Sequence, residues 1–515
     1  MGVPCIYDRP LTRPPSEVIL ETHNDDVQFH SESRGCGEVY NILAADMPER
    51  HQTLFTLDHN SHAQLDPFQT YPSKLSPDCV SRVLNYSIKD MWPKLFPGFT
   101  YKGESFVHEW MNCAMKCPPL FNAWLHSGAE HMQLREQAND QSLQPSTQDN
   151  YEILLMEREA IVGLKEFVHN SSPDEVTDEI VMCAFALALH PPERKRNATA
   201  RMRQVPLSNL QWLSRFTDIV IPEGHIRGLR QLVDTRGGFD KLEMPGLKQG
   251  LSTFNLIVAS KYLERPYWPL RARLQPDEVA MFLSAFEPSW PTNSMPLQSC
   301  LNSVVPTAMA WEFHAIRGYN ALVHEYSQGL CPTLDMAYVL DLRNMVHYHL
   351  MSLPTSAEML ETLQVLPPTY ESLRLALIAY SLLVLFPIPL TIEPYPRLAH
   401  LLRYELELTQ MRLDLWMPMI EMLLWVLTIG GISSFETVHR PWYVQRLRWM
   451  VQMFGVESWE QLKEIMVSII WLDTPCDVEG MLLWKEVQES NPTSFVEGPS
   501  ISSIYMESPL EVIVS

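Results

Sequence analysis

Prolines constrain what this chain can fold into, because forty of them interrupt its 515 residues. Between them run amphipathic windows in which apolar residues recur at helical spacing, while alternating, strand-like runs are few. A proline inside a helix removes a backbone hydrogen bond and clashes with the preceding turn, so it ends or kinks the helix. Hydrophobic residues make up 46% of the chain, which is ample for burial. The pattern predicts an all-α, irregular multi-helix array, and neither a coiled coil nor a fixed-period solenoid.

The centre of the chain contains a helix, a double-glycine break and a second helix. Ile226, Leu229 and Val233 recur at helical spacing and form the apolar face of the first helix. Gly237 stands where we expect this helix to end in left-handed geometry, which carries no steric penalty for glycine. Proline is tolerated at the first helical position, so Pro245 is predicted to begin the second helix. The apolar face of that helix is formed by Leu247, Leu251, Phe254, Val258 and Tyr262.

The literal residues of this segment resemble those of a known family. The string Arg236-Gly237-Gly238-Phe239, with Leu242 in register, is similar to the central segment of the fungal-specific transcription factor regulatory domain. That domain is an all-helical module that usually follows a binuclear zinc-cluster DNA-binding domain. Further similarity lies in Leu424-Trp425, Gly430-Gly431-Ile432, Pro441-Trp442-Tyr443, Ser458-Trp459-Glu460-Gln461, Trp471-Leu472-Asp473 and Leu483-Trp484.

The resemblance implies a function and a compartment as well as a fold. It implies a non-catalytic, pathway-specific transcriptional regulator that acts in the nucleus through its helical regulatory domain. In this family a small-molecule effector, a DNA-binding transcription factor partner or self-association controls activity, and the resemblance identifies neither a ligand nor a target gene. The alternative is a helical ligand-binding protein or enzyme of a fungal biosynthetic pathway, such as secondary metabolism.

The nine cysteines of the chain do not form the zinc cluster that this family usually carries. Six thiolates in closely spaced groups are needed to hold two zinc ions. Cys5 and Cys36 stand alone, whereas Cys113 and Cys117 are four residues apart in a helical window, where buried free cysteines are ordinary core residues. We therefore predict no metal site, and two routes to DNA stay open. The chain reaches DNA through a partner, or a zinc cluster is encoded upstream of Met1.

The net charge of −22 argues against DNA binding by bulk electrostatics, because phosphate contacts need lysine and arginine. One basic run stands out and consists of Arg194, Lys195, Arg196, Arg201 and Arg203. It is a candidate nuclear-localisation signal or phosphate-contacting loop. A solvated loop between helices is the simpler alternative.

Composition divides the chain into three regions. Residues 1–75 mix polar residues and prolines without periodicity, which predicts a largely disordered N-terminal region. Residues 76–490 form the predicted helical regulatory domain, interrupted by a polar loop at about 134–150. Residues 491–515 carry acidic and apolar side chains but no lysine or arginine, which predicts a disordered acidic tail.

Two apolar windows need comparison with membrane spans. Leu375–Phe386 is shorter than the roughly 17 residues that a spanning helix needs, and Leu413–Ile429 contains charged residues and a proline. Both are predicted to be buried helices, so no membrane association is expected. The odd number of cysteines and the lack of a signal-peptide pattern favour a reducing compartment.

Catalytic signatures are missing from the sequence. His108 and His324 are each followed by glutamate, as in a zinc-protease motif, but Asn112 and Gln328 stand where the second histidine belongs. The chain also has no GxSxG elbow and no phosphate-binding GxxxxGK[ST] motif. We therefore predict that the protein is not an enzyme and has no catalytic residue, cofactor or metal.

Two pairs of ionisable residues need a closer look. His347 and His349 are two residues apart on a predicted helix, so they cannot face one site. Asp473 and Asp477 lie one turn apart if their helix is continuous, as a carboxylate pair for acid–base work would. We expect Pro475 to break that turn, so that Asp477 caps the last helix instead.

Overall fold

Helices joined by turns make up the part of the chain that the structure describes, and the predicted all-α class is confirmed. The computed structural model describes residues 71–489 with gaps at 99, 102–103, 140–145, 190–204, 214–220, 273, 275–278, 280–306, 331–334, 363–367, 391–392, 410–412 and 417–418. Within that part of the chain, β structure is limited to a two-residue hairpin in which Thr100–Tyr101 pairs with Glu104–Ser105.

The helices are numbered in chain order. Those of the N-terminal half are α1 Pro77–Tyr86, α2 Trp92–Leu95, α3 Phe106–Lys116, α4 Pro118–Asn139, α5 Thr147–Asn170, α6 Asp178–Ala188, α7 Glu223–Thr235 and α8 Leu247–Tyr262. Those of the C-terminal half are α9 Thr307–Ser327, α10 Met336–Ser352, α11 Ser356–Thr362, α12 Tyr370–Val384, α13 Tyr395–Leu408, α14 Leu413–Trp416, α15 Ile420–Ser433, α16 Arg440–Met453, α17 Trp459–Ile469 and α18 Asp473–Glu489.

Local capping explains where several helices begin and end. The hydroxyl of Ser76 accepts a hydrogen bond from an amide in the first turn of α1 and so satisfies a donor without an intrahelical partner. Helix α7 buries its predicted face and ends before Gly237 and Gly238, whose φ angles are 105° and 94°. The prediction that Pro245 begins α8 is wrong by two residues. Gly246, with φ 77°, comes between that proline and the helix.

The predicted polar loop at about 134–150 is wrong at both ends. Helix α4 continues to Asn139, and α5 begins at Thr147, so the residues outside the described chain are 140–145 alone. Ser146 caps α5 by accepting a hydrogen bond from the Asp149 amide at 3.0 Å. Polar composition misled the prediction because the solvated side of a long helix has the same composition as a loop.

The predictions for the chain ends fall largely outside the described residues, which exclude 1–70 and 490–515. Within the described part, Tyr71 stacks on Phe121 of α4 with ring centroids 5.8 Å apart. Lys74 forms an ion pair with Glu159 of α5 at 2.7 Å. Residues 71–75 therefore pack against the helical body, and the predicted N-terminal region is too long at this end.

Helix α15 lies at the centre of the C-terminal half. Every residue from Met422 to Ser433 is buried, as expected for a helix that is apolar all round. Trp425 donates from Nε1 to the Ile470 carbonyl at 2.8 Å, which satisfies its one polar atom. Gly430 allows α16 to approach closely, because a Cβ at this position would overlap the ring of Tyr443.

The buried apolar residues of the described chain form one core, which extends from α1 to α18. Helix α8 packs on α6 and α10, and α10 packs on α12, so these helices connect the two halves. The window Leu375–Phe386 is buried in α12 and the turn after it, as predicted, whereas Leu413–Ile429 is divided between α14 and α15. None of the described helices combines the length and the apolar character that crossing a membrane requires.

Candidate functional site

The basic run predicted as a nuclear-localisation or phosphate-contacting loop lies outside the described residues. This applies to all of Arg194, Lys195, Arg196, Arg201 and Arg203. Its role therefore stays a prediction, and the candidate site has to be sought among the helices.

The residues that carry the family resemblance build a corner between α6, α7 and α8. Asp178 begins α6 and is 7% exposed, and its Oδ1 lies 2.8 Å from Nε of Arg236. Its Oδ2 accepts hydrogen bonds from the amides of Glu243 and Met244, at 2.5 and 2.7 Å. One buried carboxylate thus holds both the end of α7 and the approach to α8. These residues stabilise the corner.

His347 is fully buried and bridges two helices. Its ring nitrogens lie 2.7 Å from Oγ of Ser260 and 2.8 Å from Oγ of Ser381. Burial, followed by the charge of Arg343, lowers the pKa of His347 to about 3, so the ring is neutral at physiological pH. His349 packs elsewhere, against an indole ring with centroids 4.8 Å apart. The prediction that the two histidines do not share a site is confirmed.

Asp473 and Asp477 do face one site, and the prediction that Pro475 breaks their turn is wrong. Helix α18 begins at Asp473, which places Pro475 in the first turn. Amides of the first turn have no intrahelical partner, so a proline is tolerated there. Nζ of Lys463 lies 3.0 Å from Asp473 and 2.7 Å from Asp477. The lysine pairs with both carboxylates and ties α17 to α18, which is a structural role.

Cys113 and Cys117 are half-buried, so they are less enclosed than the core positions that we predicted, and Cys117 lies in the break between α3 and α4. Burial raises the pKa of Cys113 to about 11 and raises the pKa of Cys117 above its ordinary value. Burial therefore favours the neutral thiol over the thiolate at both positions. Among the residues that the structure describes, no group of three histidine, cysteine or acidic side chains is placed to hold a metal ion.

Arg343, in the middle of α10, is 1% exposed and its hydrogen bonds go to neutral oxygens. Its guanidinium donates to the Leu210 carbonyl at 3.0 Å, to Oε1 of Gln211 at 3.0 Å and to Oδ1 of Asn344 at 3.1 and 3.2 Å. Burial lowers the pKa of Arg343 to about 10, so the group remains charged at neutral pH. Neutral oxygens offset the desolvation of a buried charge only in part, and such arrangements concentrate at functional sites.

The segment that accepts the hydrogen bonds of Arg343, around Leu210 and Gln211, has a strained backbone. Leu207, Gln211 and Trp212 have φ angles of 59°, 62° and 54°, in the left-handed region that non-glycine residues rarely adopt. Each such residue costs about 1–3 kcal/mol and persists only where its surroundings hold it. Arg343 holds the side chain of Gln211, and Nε1 of Trp212 donates to the Met91 carbonyl at 3.1 Å. The strain therefore positions Gln211 against α10.

A cleft of about 40 Å³ opens beside this network. Its polar and charged lining residues are Gln211, Gln249, Thr253, Arg271, Asp341 and Asn344. Nε2 of Gln211 donates to Oγ1 of Thr253 at 2.7 Å, and Nδ2 of Asn344 donates to Oε1 of Gln211 at 3.2 Å. The buried charge of Arg343 lies behind these amides and makes them better donors. We name this the Arg343 cleft.

The size of the Arg343 cleft limits what it can hold. About three water-sized spheres fill such a volume, so it admits a polar group of a ligand and not a large molecule. A larger cleft of about 230 Å³ lies between α1, α4 and α5, but Arg82 there pairs with Asp149 at 3.2 Å and with Glu152 at 3.3 Å. The Arg343 cleft is the better candidate for a ligand site, because it lies beside a buried charge and a strained backbone segment.

Sequence reasoning missed the Arg343 cleft because its parts are distant in the chain. Arg343 and Gln211 are separated by 132 positions. One signal was present: Asp341, Arg343 and Asn344 interrupt an otherwise largely apolar stretch of α10. An arginine is almost never fully buried unless it is paired, so its place in that stretch indicated buried partners.

Comparison of the chain with protein-family profiles, with curated proteins and with solved structures finds no match. The relation to the fungal regulatory domain therefore remains a prediction.

Proposed function

We propose that this protein is a fungal-type transcriptional regulator, pathway-specific and nuclear, whose helical body acts by binding and not by catalysis. One observation carries the proposal. The residues that resemble the family's central segment have a structural role in this fold. Arg236, Gly237 and Gly238 shape the corner that Asp178 holds together. Residues of this kind belong to the architecture of a domain, so their presence in register supports a shared helical architecture.

The helical body that the structure describes is not expected to contact DNA directly. A chain with a net charge of −22 gains little from the phosphate backbone, because phosphate neutralisation needs a lysine- and arginine-rich surface. Promoter recognition is therefore supplied by a DNA-binding transcription factor partner or by a zinc cluster encoded upstream of Met1, and the helical body contributes regulation.

The Arg343 cleft supports control by a small polar effector. Amide donors backed by a buried charge bind acceptor oxygens, and the charged residues Asp341 and Arg271 line the same cleft. The same cleft favours the second candidate function, a helical ligand-binding protein or enzyme of a fungal biosynthetic pathway.

Chromatin immunoprecipitation of the tagged full chain tests the regulatory role. We expect enrichment at a limited set of promoters, together with altered transcripts of those genes when the chain is deleted. The untagged chain is the control for enrichment. A protein that enriches no promoter and whose loss changes no transcript contradicts the proposal.

A thermal-shift screen tests the effector site separately. The purified full chain is heated with a panel of small carboxylates, amino acids and nucleotides. A compound that uses the Arg343 cleft raises the midpoint of the wild type and not that of Gln249→Ala, whereas Gln231→Ala on the exposed side of α7 serves as a matched control. An equal rise of the thermal midpoint in all three proteins would show that the compound binds outside the Arg343 cleft.

A further inference from the structure

Helix α16 buries one side and turns the other side outward. Tyr443, Leu447 and Met450 are fully buried, and the helix packs on α15 and α18. On the side toward α18, Arg448 donates to the carbonyl of Val487 at 2.9 Å. The side that faces away from the core carries half-buried and exposed residues.

A row of large side chains runs along that outward side. Trp442, Arg446, Trp449 and Met453 follow one another at intervals of four, three and four residues, so they lie on one stripe of the helix. Both tryptophans are half-buried, and Met453 is 36% exposed. At about 1.5 Å per residue the row is roughly 16 Å long, or about three helical turns. We call these four residues the outer face of α16.

The composition of the outer face is that of a binding surface. Tryptophan and arginine are enriched among the residues that dominate the energetics of protein interfaces. Methionine adapts its shape to different partners, because its side chain is unbranched and flexible. Single exposed apolar residues need no explanation, but a continuous row of them indicates an interaction surface.

Arg446 is the charged member of the outer face, and its contact is with a ring. Its guanidinium lies over Trp442, 5.7 Å from the ring centroid. Within the part of the chain that the structure describes, Arg446 forms no ion pair. A guanidinium that stacks through its flat face keeps the N–H groups of its edge for a carboxylate.

A second arginine holds the same indole from the neighbouring helix. Arg403 of α13 lies over Trp442, 5.5 Å from the ring centroid, and its Nε pairs with Glu407 at 3.0 Å. Trp442 is therefore held between α13 and α16 before any partner arrives. A side chain that is already ordered loses little conformational freedom on binding.

The charge of α16 differs from that of the chain. This helix contains three arginines and no acidic residue, although the net charge of the chain is −22. Arg440 pairs with Glu486 of α18 at 2.9 Å, and Arg448 bonds to the end of the same helix. Arg446 is left for the outward side, where it stands between two tryptophans. A positive charge within apolar surroundings is complementary to a carboxylate that has apolar neighbours.

We propose that the outer face of α16 binds an acidic amphipathic helix of a partner protein. Apolar side chains of that helix pack against Trp442, Trp449 and Met453, and one of its carboxylates pairs with Arg446. A helix fits because a ridge of residues at such spacing packs into the groove of a second helix. The outer face contains no acid, so a second copy of it cannot supply the carboxylate.

The inference goes beyond the proposed function, since it assigns a surface and the chemistry of its partner. It does not depend on promoter binding or on the Arg343 cleft. Failure of either earlier test would leave it standing.

Two synthetic peptides test the surface by fluorescence polarisation with the purified full chain. The first is helical, with leucines at i, i+4, i+7 and i+11 and glutamates beside them. The second has the same leucines and a lysine in place of each glutamate. We expect the wild type to bind the acidic peptide more tightly, and added salt to weaken this binding because it screens the exposed charges.

Charge reversal tests the role of Arg446. Arg446→Glu is expected to weaken binding of the acidic peptide roughly tenfold or more and to bind the lysine peptide more tightly than the acidic one. Trp449→Ala is expected to weaken binding of both peptides, because it removes an apolar anchor and no charge. Arg227→Glu is the matched control, because Arg227 of α7 is 74% exposed and lies outside the outer face of α16. Circular dichroism verifies that each variant keeps its helices.

Four results would overturn the proposal. The first is a wild type that binds neither peptide at any concentration. The second is equal binding of the acidic and the lysine peptide, which would make the surface apolar only. The third is an Arg446→Glu protein that keeps the peptide preference of the Arg227→Glu control. The fourth is a single-stranded oligonucleotide of equal charge that displaces the acidic peptide as well as unlabelled peptide does, because the site would then bind any polyanion.

Discussion

Asp178→Ala tests the corner on which the family resemblance rests. The carboxylate accepts the amides of Glu243 and Met244 and pairs with Arg236. Its removal leaves the buried Met244 amide without its partner, at a cost of about 1–3 kcal/mol, and the half-exposed Glu243 amide adds less. The arginine side chain is 29% exposed, so solvent screens that ion pair and its contribution is small. We expect a local destabilisation of about 2–4 kcal/mol.

Hydrogen exchange measured by mass spectrometry reports this loss at the corner itself. Because about 1.4 kcal/mol corresponds to a factor of ten, peptides that contain the amides of Glu243 and Met244 should exchange roughly 30- to 700-fold faster. Asp178→Asn should give a smaller effect, because its amide oxygen still accepts one hydrogen bond. Asp240→Ala is the control, since that side chain is 78% exposed and its ion pair is on the surface. Exchange in Asp178→Ala that matches the Asp240→Ala control would refute the role of the carboxylate.

Three further substitutions follow from the structure. Gly430→Ala drives a methyl group into the ring of Tyr443 and should lower the free energy of unfolding by about 1–3 kcal/mol, measured with urea. Burial, followed by the charge of Glu130, raises the pKa of Glu157 from 4.5 to about 7. The folded state therefore keeps a proton that the unfolded chain releases, so this contribution to stability is complete below pH 4.5 and declines up to about pH 7. Glu157→Gln should flatten that decline in urea titrations across this range, and an unchanged slope would contradict the assignment. Arg343→Lys keeps the charge but not the planar fork, and should cost roughly 1.5–3 kcal/mol for each hydrogen bond lost; unchanged stability would argue against the buried network.

Much of the helical pattern follows from local signals. Ile226, Leu229 and Val233 are buried on one face of α7, as their spacing predicts, and Gly237 has the left-handed φ angle expected after the helix. Such features depend on neighbours within about four residues, so the sequence contains all the information that they need. Pro475 shows the limit, because the effect of a proline depends on which turn of the helix it occupies.

The candidate site could not be predicted in the same way. The sequence shows Arg343 as a charged residue in an apolar stretch of α10. It does not show the hydrogen-bond partners Leu210 and Gln211, because they lie in another part of the chain. A strained backbone at Gln211 also leaves no mark on the sequence, since glutamine has no preference for the left-handed region.

The sequence by itself determined that this protein is helical and where several of its helices lie, because the spacing of prolines and apolar residues acts over one or two turns. Only the tertiary structure decided what the buried polar groups do. His347 became a neutral bridge, and Arg343 became a charge held by neutral oxygens beside a cleft. A buried polar group takes its properties from the atoms around it, and packing alone brings those atoms together.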